Sequence, residues 1–148
     1  MKNLLLAGLL LAIVAGCGPS YRSTPLRHPV GADDRIAVRE FTADSPATAQ
    51  MIRETLVVEL KEAGLAVVDV NDSPDLIISG TITVNEAGFL SDRIVFVDSI
   101  FLVVTTHTDD FVTSLRCNQI FAEKTPGEIG TQLGKRLAKK FKKKTKAF

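Results

Sequence analysis

The sequence predicts an α+β domain in which two helices pack on one face of a mixed, mainly antiparallel sheet. Two amphipathic helical patterns, each preceded by a Ser-Pro or Thr-Pro pair, are separated by segments rich in β-branched residues, in the order β-α-β-β-β-β-α. The 148 residues are enough for one domain with a modest core. A hydrophobic fraction of 45% and a charged fraction of 24% exclude a disordered chain and a multi-span membrane protein.

The first strand is predicted from Arg35 to Phe41, with a buried run near its start. Ser45 and Pro46 are typical of a helix start, because a hydroxyl caps the first turn and proline is favoured at the first helical position. This helix is predicted to reach Ala63, just before Gly64, a residue type that commonly ends helices. Its apolar positions form one stripe: Ala49, Ile52, Leu56, Leu60 and Ala63.

Three further strands are predicted after this helix. Leu65 to Val70 pairs in parallel with the first strand, because a strand–helix–strand unit makes a right-handed crossover. Leu76 to Val84 alternates apolar residues with outward-facing threonines, and Gly80 within it indicates a bulge or a close approach. Arg93 to Thr106 is predicted as one long strand or as two, with a bend at Asp98-Ser99.

The chain then turns at His107 to Asp110, returns as a strand from Phe111 to Phe121, and ends in a second helix. Thr125 and Glu128 match a capping box, with proline at the first helical position. An apolar stripe recurs every four residues: Ile129, Leu133, Leu137 and Phe141. We therefore predict a single domain over residues 35–141 and a basic tail over residues 142–148.

The N-terminus has the three regions of an export signal. Lys2 supplies positive charge, Leu4 to Val14 is an unbroken apolar run, and small residues follow. As a helix this run spans about 16 Å, too short for a bilayer core of ~30 Å. The segment Val14-Ala15-Gly16-Cys17 resembles the lipobox of bacterial lipoproteins, in which the cysteine is acylated and begins the mature chain. The alternative is an ordinary secretory signal with an incidental cysteine.

The lipobox resemblance implies a signal peptide over residues 1–16 and a lipidated N-terminus at Cys17. Gly18, rather than aspartate, follows the cysteine, which by resemblance to envelope lipoproteins of two-membrane bacteria favours the outer membrane. Residues 17–34 are rich in Gly, Pro, Ser and Thr and are predicted to be a flexible linker between lipid and domain.

The second cysteine has a different expected role. Lipidation of Cys17 excludes a disulfide within the chain. Cys117 shares a strand face with Phe111, Leu115 and Phe121, at a spacing of two residues. A buried small hydrophobic residue is therefore predicted there, rather than a reactive thiol.

Basic residues are concentrated at the C-terminus. From Lys135 onward there are eight basic residues and no acidic one, whereas residues 17–134 hold nine basic and 17 acidic residues. In an exported protein this asymmetry indicates contact with anionic lipid, lipopolysaccharide or an acidic protein face, rather than nucleic acid. The alternative is a solvated helix end whose cations complement the helix dipole and the acidic body. The candidate contacts are Lys135, Arg136, Lys139, Lys140, Lys142, Lys143, Lys144 and Lys146.

The sequence contains none of the common catalytic motifs. It contains no glycine-rich phosphate loop, paired-cysteine motif, H-E-x-x-H or nucleophile elbow. His107, Asp109 and Asp110 lie in one tight turn, where three ligands cannot easily converge on one metal ion, so a polar hairpin tip is expected. We therefore predict no catalytic residue, no metal site and no cofactor, and hence a protein that is not an enzyme.

Several segments resemble, in order, a family of envelope proteins: Ile36-Ala37-Val38 with Phe41, Leu56 and Leu60 with Ala63-Gly64, Val67-Val68, and Asp75 to Ile82. Over residues 35–123 the chain looks like the periplasmic domain shared by the curli-secretion lipoprotein, the penicillin-binding-protein activator lipoproteins and the N-terminal domain of the Tol translocation protein. The resemblance implies a non-enzymatic module that binds other proteins. Thr108-Asp109-Asp110 departs from the family's glycine-containing turn, and the chain has no room for the curli protein's membrane-spanning hairpins, which disfavours pore formation.

These observations predict a lipid-anchored periplasmic binding module that assists or activates an envelope assembly partner. Its expected partners are outer-membrane lipid through acylated Cys17, an envelope protein, and anionic lipid or lipopolysaccharide at the basic tail, but no nucleic acid. The alternative function is a carrier or binder of an apolar or anionic lipid or glycolipid, because Ile94 to Val104 is apolar and the tail is basic. A third alternative is the hydrolysis of cell-wall material.

Overall fold

The computed structural model describes residues 20–87, 94–118 and 125–143, and it confirms the α+β class. The chain forms strands β1 (Ser20–Ser23), β2 (Arg35–Val38) and β3 (Thr42–Ala43), helix α1 (Pro46–Glu62), strands β4 (Ala66–Val67), β5 (Leu76–Ala87), β6 (Ile94–Thr106) and β7 (Phe111–Asn118), and helix α2 (Pro126–Lys142). Within these residues the strands make one sheet in the order β1-β7-β6-β5-β2-β4, with β3 beside β5. The β1–β7, β7–β6 and β6–β5 pairs are antiparallel, and the others are parallel.

Both helices begin where the sequence predicts. The Thr125 hydroxyl accepts from the Glu128 backbone N–H at 3.2 Å, and the Glu128 carboxylate accepts from the Thr125 backbone N–H at 3.1 Å, which confirms the capping box. Ser45 also precedes its helix, but its hydroxyl donates to the Thr48 hydroxyl and caps no backbone N–H. Gly64 follows α1 with a φ of 85°, the left-handed conformation that glycine adopts at the lowest cost.

The apolar stripes of the two helices meet the inward-facing side of the sheet in one buried cluster. The cluster includes Cys117, which confirms its predicted burial. The two helices approach closely because Gly130 and Gly134 on α2 leave room for Thr55 and Glu59 on α1. The largest fully buried side chains of this core are Phe141, Ile36, Ile52, Leu56, Leu60, Ile78, Ile82, Ile100, Leu102, Leu133 and Leu137.

The central strands differ from the prediction in where the sheet is irregular. A Cβ on Gly80 would lie 3.2 Å from the backbone carbonyl oxygen of Phe101 and 2.5 Å from a methyl group of Leu102, so the neighbouring strand approaches this glycine closely, as predicted. The bulge, however, is on β6: Thr83 pairs with Ser99 and Val84 with Val97, which leaves Asp98 as the extra residue. The structure therefore has one long strand there, and the predicted bend at Asp98 is a bulge.

The turn between β6 and β7 uses aspartate where the resembling family has glycine. Asp109 has a φ of 65°, and its N–H donates to the Thr106 carbonyl oxygen at 3.0 Å. Aspartate is one of the few residues besides glycine that tolerate this conformation. The Thr108 hydroxyl donates to the Asp110 carboxylate at 2.8 Å. The turn therefore forms without a glycine, because Asp109 adopts the left-handed conformation and hydrogen bonds within the turn hold it.

The predicted flexible linker over residues 17–34 is corrected by the structure from Ser20 onward. β1 pairs with β7, with Tyr21 opposite Cys117. Further along, the Arg27 N–H donates to the Val112 carbonyl oxygen at 2.9 Å, and Val30 is buried in the core. Backbone hydrogen bonds and apolar burial therefore hold this stretch against the domain, which begins at β1 rather than at residue 35.

Candidate functional site

A groove of about 560 Å³ runs along the seam between β1 and α2. We call it the β1–α2 groove. Apolar side chains from both elements and from β7 form its floor, and basic side chains of α2 stand along its rim. Its lining residues are Tyr21, Ser23, Pro25, Leu26, Leu115, Arg136, Leu137, Lys139, Lys140 and Lys143.

Tyr21 joins the edge strand to the helix. Its hydroxyl donates to the Gln132 side-chain oxygen at 2.9 Å, and the Arg136 guanidinium lies over its ring, with Cζ 3.6 Å from the ring centroid. Burial raises the pKa of Tyr21 to about 12; Cys117 acts in the same direction, and Arg136 opposes it. The phenol is therefore a neutral hydrogen-bond donor near neutral pH.

Lys140 fixes the other end of the groove. Its ammonium group donates to the Ser23 hydroxyl at 2.8 Å and to the Thr24 carbonyl oxygen. The same carbonyl accepts from the Thr113 hydroxyl at 2.7 Å, so the chain after β1 is tied both to the sheet and to the helix. Partial burial lowers the pKa of Lys140. Lys140 is therefore held in place by β1, unlike a cation on a solvated tail.

Lys139 and Lys143 are exposed at the rim, where neither side chain forms an ion pair or hydrogen bond with another described residue. They also border a second depression, of about 510 Å³, between α1 and α2.

In this second depression the Lys135 ammonium lies 4.0 Å from the Glu59 carboxylate, and the Lys135 side chain is 67% exposed. A pair this exposed contributes little to stability. Lys139 and Lys143 are therefore available to an external anion.

The structure thus brings together four of the eight predicted basic contacts, Arg136, Lys139, Lys140 and Lys143. Lys135 and Lys142 border the second depression. The sequence did not predict Tyr21, Ser23 or Leu26, because they lie in the stretch assigned to the linker. Their only signal is one aromatic residue among small and proline residues. Several predicted features lie outside the described residues: the signal peptide, Cys17, Gly18, Arg93, Phe121, Lys144 and Lys146.

The opposite face of the sheet is not covered by the helices and carries further cations. Arg22 on β1 lies directly opposite Arg116 on β7. The Arg116 guanidinium sits 4.9 Å from the ring centroid of Phe101, and the Arg27 guanidinium sits 5.0 Å from that of Phe111. Like charges placed opposite each other on neighbouring strands repel, so this pair favours an approaching anion.

Two further properties concern the described residues alone. No group of three His, Cys, Asp or Glu side chains among them is placed to hold a metal ion. Neither α1 nor α2, the helices in this part of the chain, combines the length and the apolar character that a membrane span requires.

No model of a known protein family matches the chain, and no curated protein matches it. Solved structures do show a similar fold. The PelC dodecamer from Paraburkholderia phytofirmans has a TM-score of 0.64 at 12% identity, over 84% of this chain and 97% of that chain. A DUF4136 family protein from Bacteroides thetaiotaomicron has a TM-score of 0.51 at 9% identity, over 86% and 96%. Lipoprotein GNA1162 from Neisseria meningitidis has a TM-score of 0.44 at 11% identity, over 70% and 95%.

At these identities the two comparisons with TM-scores above 0.5 show a shared fold. The comparisons do not identify the chain as a member of the curli-secretion, penicillin-binding-protein activator and Tol group, so that narrower resemblance stays a prediction. The chain therefore has the fold of PelC and of a DUF4136 protein.

Proposed function

We propose that the protein is a lipid-anchored periplasmic binding module of the bacterial outer membrane that assists an assembly partner without catalysing a reaction. The observation that carries this proposal is the open face of the sheet. Phe101 is 37% exposed near the centre of β6, and Arg116 beside it is also exposed. Aromatic residues and arginine are enriched in protein–protein interfaces. The face is therefore suited to binding a protein.

Charge complementarity indicates which kind of protein surface fits. Arg22, Arg27 and Arg116 are exposed on this face, and β1 and β7 contain no acidic residue. An acidic partner surface complements them. The similarity in fold to PelC, a dodecamer, supports the idea that such a domain presents surfaces for protein association. The lipobox sequence ending at Cys17 supports the location.

The test is photocrosslinking in the native envelope, with a photoreactive amino acid in place of Thr81, which is exposed on β5 beside Phe101. Met51, exposed on α1, is the matched control position. We expect a covalent adduct with an envelope protein from position 81 and not from position 51. No adduct at position 81, the same adducts at both positions, or adducts only with other copies of this chain would each contradict the proposal.

The β1–α2 groove favours a second candidate function, the binding of an anionic lipid or glycolipid. Its floor includes Leu26, Leu115 and Leu137, and its rim is basic, so it matches a molecule with an apolar body and a negative head. Mass spectrometry of lipid extracted from the purified protein tests this function. A stoichiometric anionic lipid is expected, and its absence from protein purified without delipidating detergent would remove this candidate.

A further inference from the structure

We infer that the edge of the domain formed by β1, β7 and α2, here called the basic edge, docks on the anionic lipid head groups of the membrane, so that the domain stands on this edge. The inference rests on the proposed lipid anchor and adds to it an orientation and a contact surface. The observations that carry it are the charges of these three elements, the short distance to the anchor, and the direction in which β1 and α2 run.

The basic edge has almost no negative charge. Among β1, β7 and α2, Glu128 is the one acidic residue, and its carboxylate is engaged by the capping box. Acidic residues lie towards the other edge of the sheet, at Asp69, Asp72 and Asp75, next to β4 and β5, and at Asp109 and Asp110 in the turn before β7. A charge distribution of this kind turns one edge towards an anionic surface. The basic residues of α2 and its cap are Lys135, Arg136, Lys139, Lys140, Lys142 and Lys143, whereas Arg22 and Arg116 on β1 and β7 lie on the open sheet face.

The anchor lies close to this edge. Two residues separate Cys17 from Ser20, the first residue of β1, so their Cα atoms are at most about 11 Å apart. This span is comparable with the ~8–10 Å over which surface charge acts at physiological salt. Acylation of Cys17 therefore keeps the start of β1 within the field of the membrane.

The cations follow the edge away from the anchor. Tyr21 contacts Arg136, and Ser23, two residues further along β1, contacts Lys140, so β1 and α2 run side by side in the same direction. Lys143 lies about one helical turn beyond. If Arg136, Lys140 and Lys143 all contact lipid head groups, β1 must lie along the membrane surface. The apolar floor of the groove, between the cations, is suited to the first methylene groups of a lipid.

Docking on this edge leaves the protein-binding face available. Arg136 and Lys140 are already held in position by Tyr21 and Ser23, so their ordering costs little on contact with lipid. Lys139 and Lys143 are free to follow the head groups. The open sheet face then stands beside the membrane, where a neighbouring envelope protein has access to it.

The test uses the full acylated chain reconstituted into vesicles that contain a quencher attached to the lipid head group. A fluorophore is placed by Pro25→Cys, at the groove, or by Asp72→Cys, near the opposite edge; Cys117 is buried and does not compete for labelling. Vesicles of phosphatidylglycerol with phosphatidylethanolamine are compared with vesicles of phosphatidylcholine alone. The charge-reversal variant is Lys139→Glu with Lys143→Glu, and its matched control is Arg39→Glu with Lys61→Glu, two exposed cations elsewhere.

We expect several-fold stronger quenching of the label at position 25 than at position 72 on anionic vesicles. The contrast should weaken on phosphatidylcholine, in high salt and in the Lys139/Lys143 variant, and it should persist at full size in the Arg39/Lys61 control. Equal quenching of the two labels on anionic vesicles would overturn the inference, as would a contrast that is unchanged by vesicle charge. Failure of the lipid anchor is distinguishable from failure of this inference, because without the anchor neither labelled protein would associate with phosphatidylcholine vesicles. Failure of partner binding is measured separately, by the crosslinking at position 81.

Discussion

The guanidinium of Arg136 lies over the ring of Tyr21, with 3.6 Å between Cζ and the ring centroid. One residue belongs to the first strand and the other to the last helix, so this contact closes the domain across almost its whole described length. It also shows why the C-terminal basic residues are not all alike: Arg136 and Lys140 hold β1, whereas Lys139 and Lys143 face solvent.

Tyr21→Ala is expected to lower the free energy of unfolding by about 2 kcal/mol, because it removes half-buried ring packing and the contact with Arg136. Tyr21→Phe keeps the ring and loses one hydrogen bond, to Gln132, so about 1 kcal/mol is expected. Urea unfolding of both variants measures the difference. Equal losses would show that the ring contributes nothing beyond its hydroxyl.

Ionisation of Tyr21 is expected to destabilise the fold at high pH. The unfolded phenol titrates near its ordinary value of 10, whereas burial raises the pKa of Tyr21 in the folded protein to about 12. The unfolded state therefore loses this proton first, and stability falls as the pH rises from about 10 to about 12. The chain has one tyrosine, so phenolate absorbance reports this group alone. Tyr21→Phe should lack this part of the decline, and an identical pH profile for the variant would contradict the assignment.

Gly130→Ala is expected to separate the two helices. A Cβ at this position would overlap the Thr55 hydroxyl and the Ile52 carbonyl oxygen, so a loss of about 1–3 kcal/mol is expected from overpacking. Gly127→Ala is the matched control, since its nearest contact would be an ordinary 3.6 Å to a methyl group of Thr55. Thermal unfolding should place the Gly127 variant at or above the wild type and the Gly130 variant below it. The reverse order would refute the close helix crossing.

The two helix caps are expected to differ in strength. Thr125→Ala removes a hydroxyl that accepts from the Glu128 backbone N–H, and it should cost about 1 kcal/mol. Ser45→Ala removes a hydroxyl that bonds only the Thr48 hydroxyl, so a smaller loss is expected. Chemical denaturation of the pair distinguishes them, and a larger loss at Ser45 would show that it caps α1 after all.

Cys17→Ala is expected to release the protein from the membrane, because the sulfur is the proposed site of acylation. Fractionation of cells that express the wild type or the variant measures the distribution, and mass analysis of the native product checks for the lipid. Retention of the variant in the membrane fraction after a high-salt wash would show that another element anchors the chain.

Local patterns predicted the elements whose signals lie within a short stretch of chain. The stripe from Ala49 to Leu60 and the Thr125–Glu128 capping box each fit within a helix and appear as predicted. The parallel pairing of β2 with β4 followed from the helical connection between them, which depends only on element order. The predicted strand from Leu65 to Val70 is nevertheless reduced to Ala66–Val67.

The features that the sequence did not predict depend on contacts distant in the chain. β1 has four residues, too few for a periodic pattern, and its pairing with β7 is visible only in the folded sheet. The bulge at Asp98 likewise reflects the register between two strands. Four of the ten residues that line the groove, Tyr21, Ser23, Pro25 and Leu26, lie in β1 and the segment after it. The prediction of a basic tail therefore did not include the groove.

The place of β1 in the sheet has a consequence for the time course of folding. This strand is synthesised well before β7 and α2, which hold it. Pairings of such long sequence separation form slowly. Until α2 has been made, β1 lacks its contacts with Arg136 and Lys140, so its pairing with β7 protects the ladder groups of β7 less from strands of other nascent chains. Truncation before Pro126 would therefore expose a sheet margin prone to aggregation as well as remove charge.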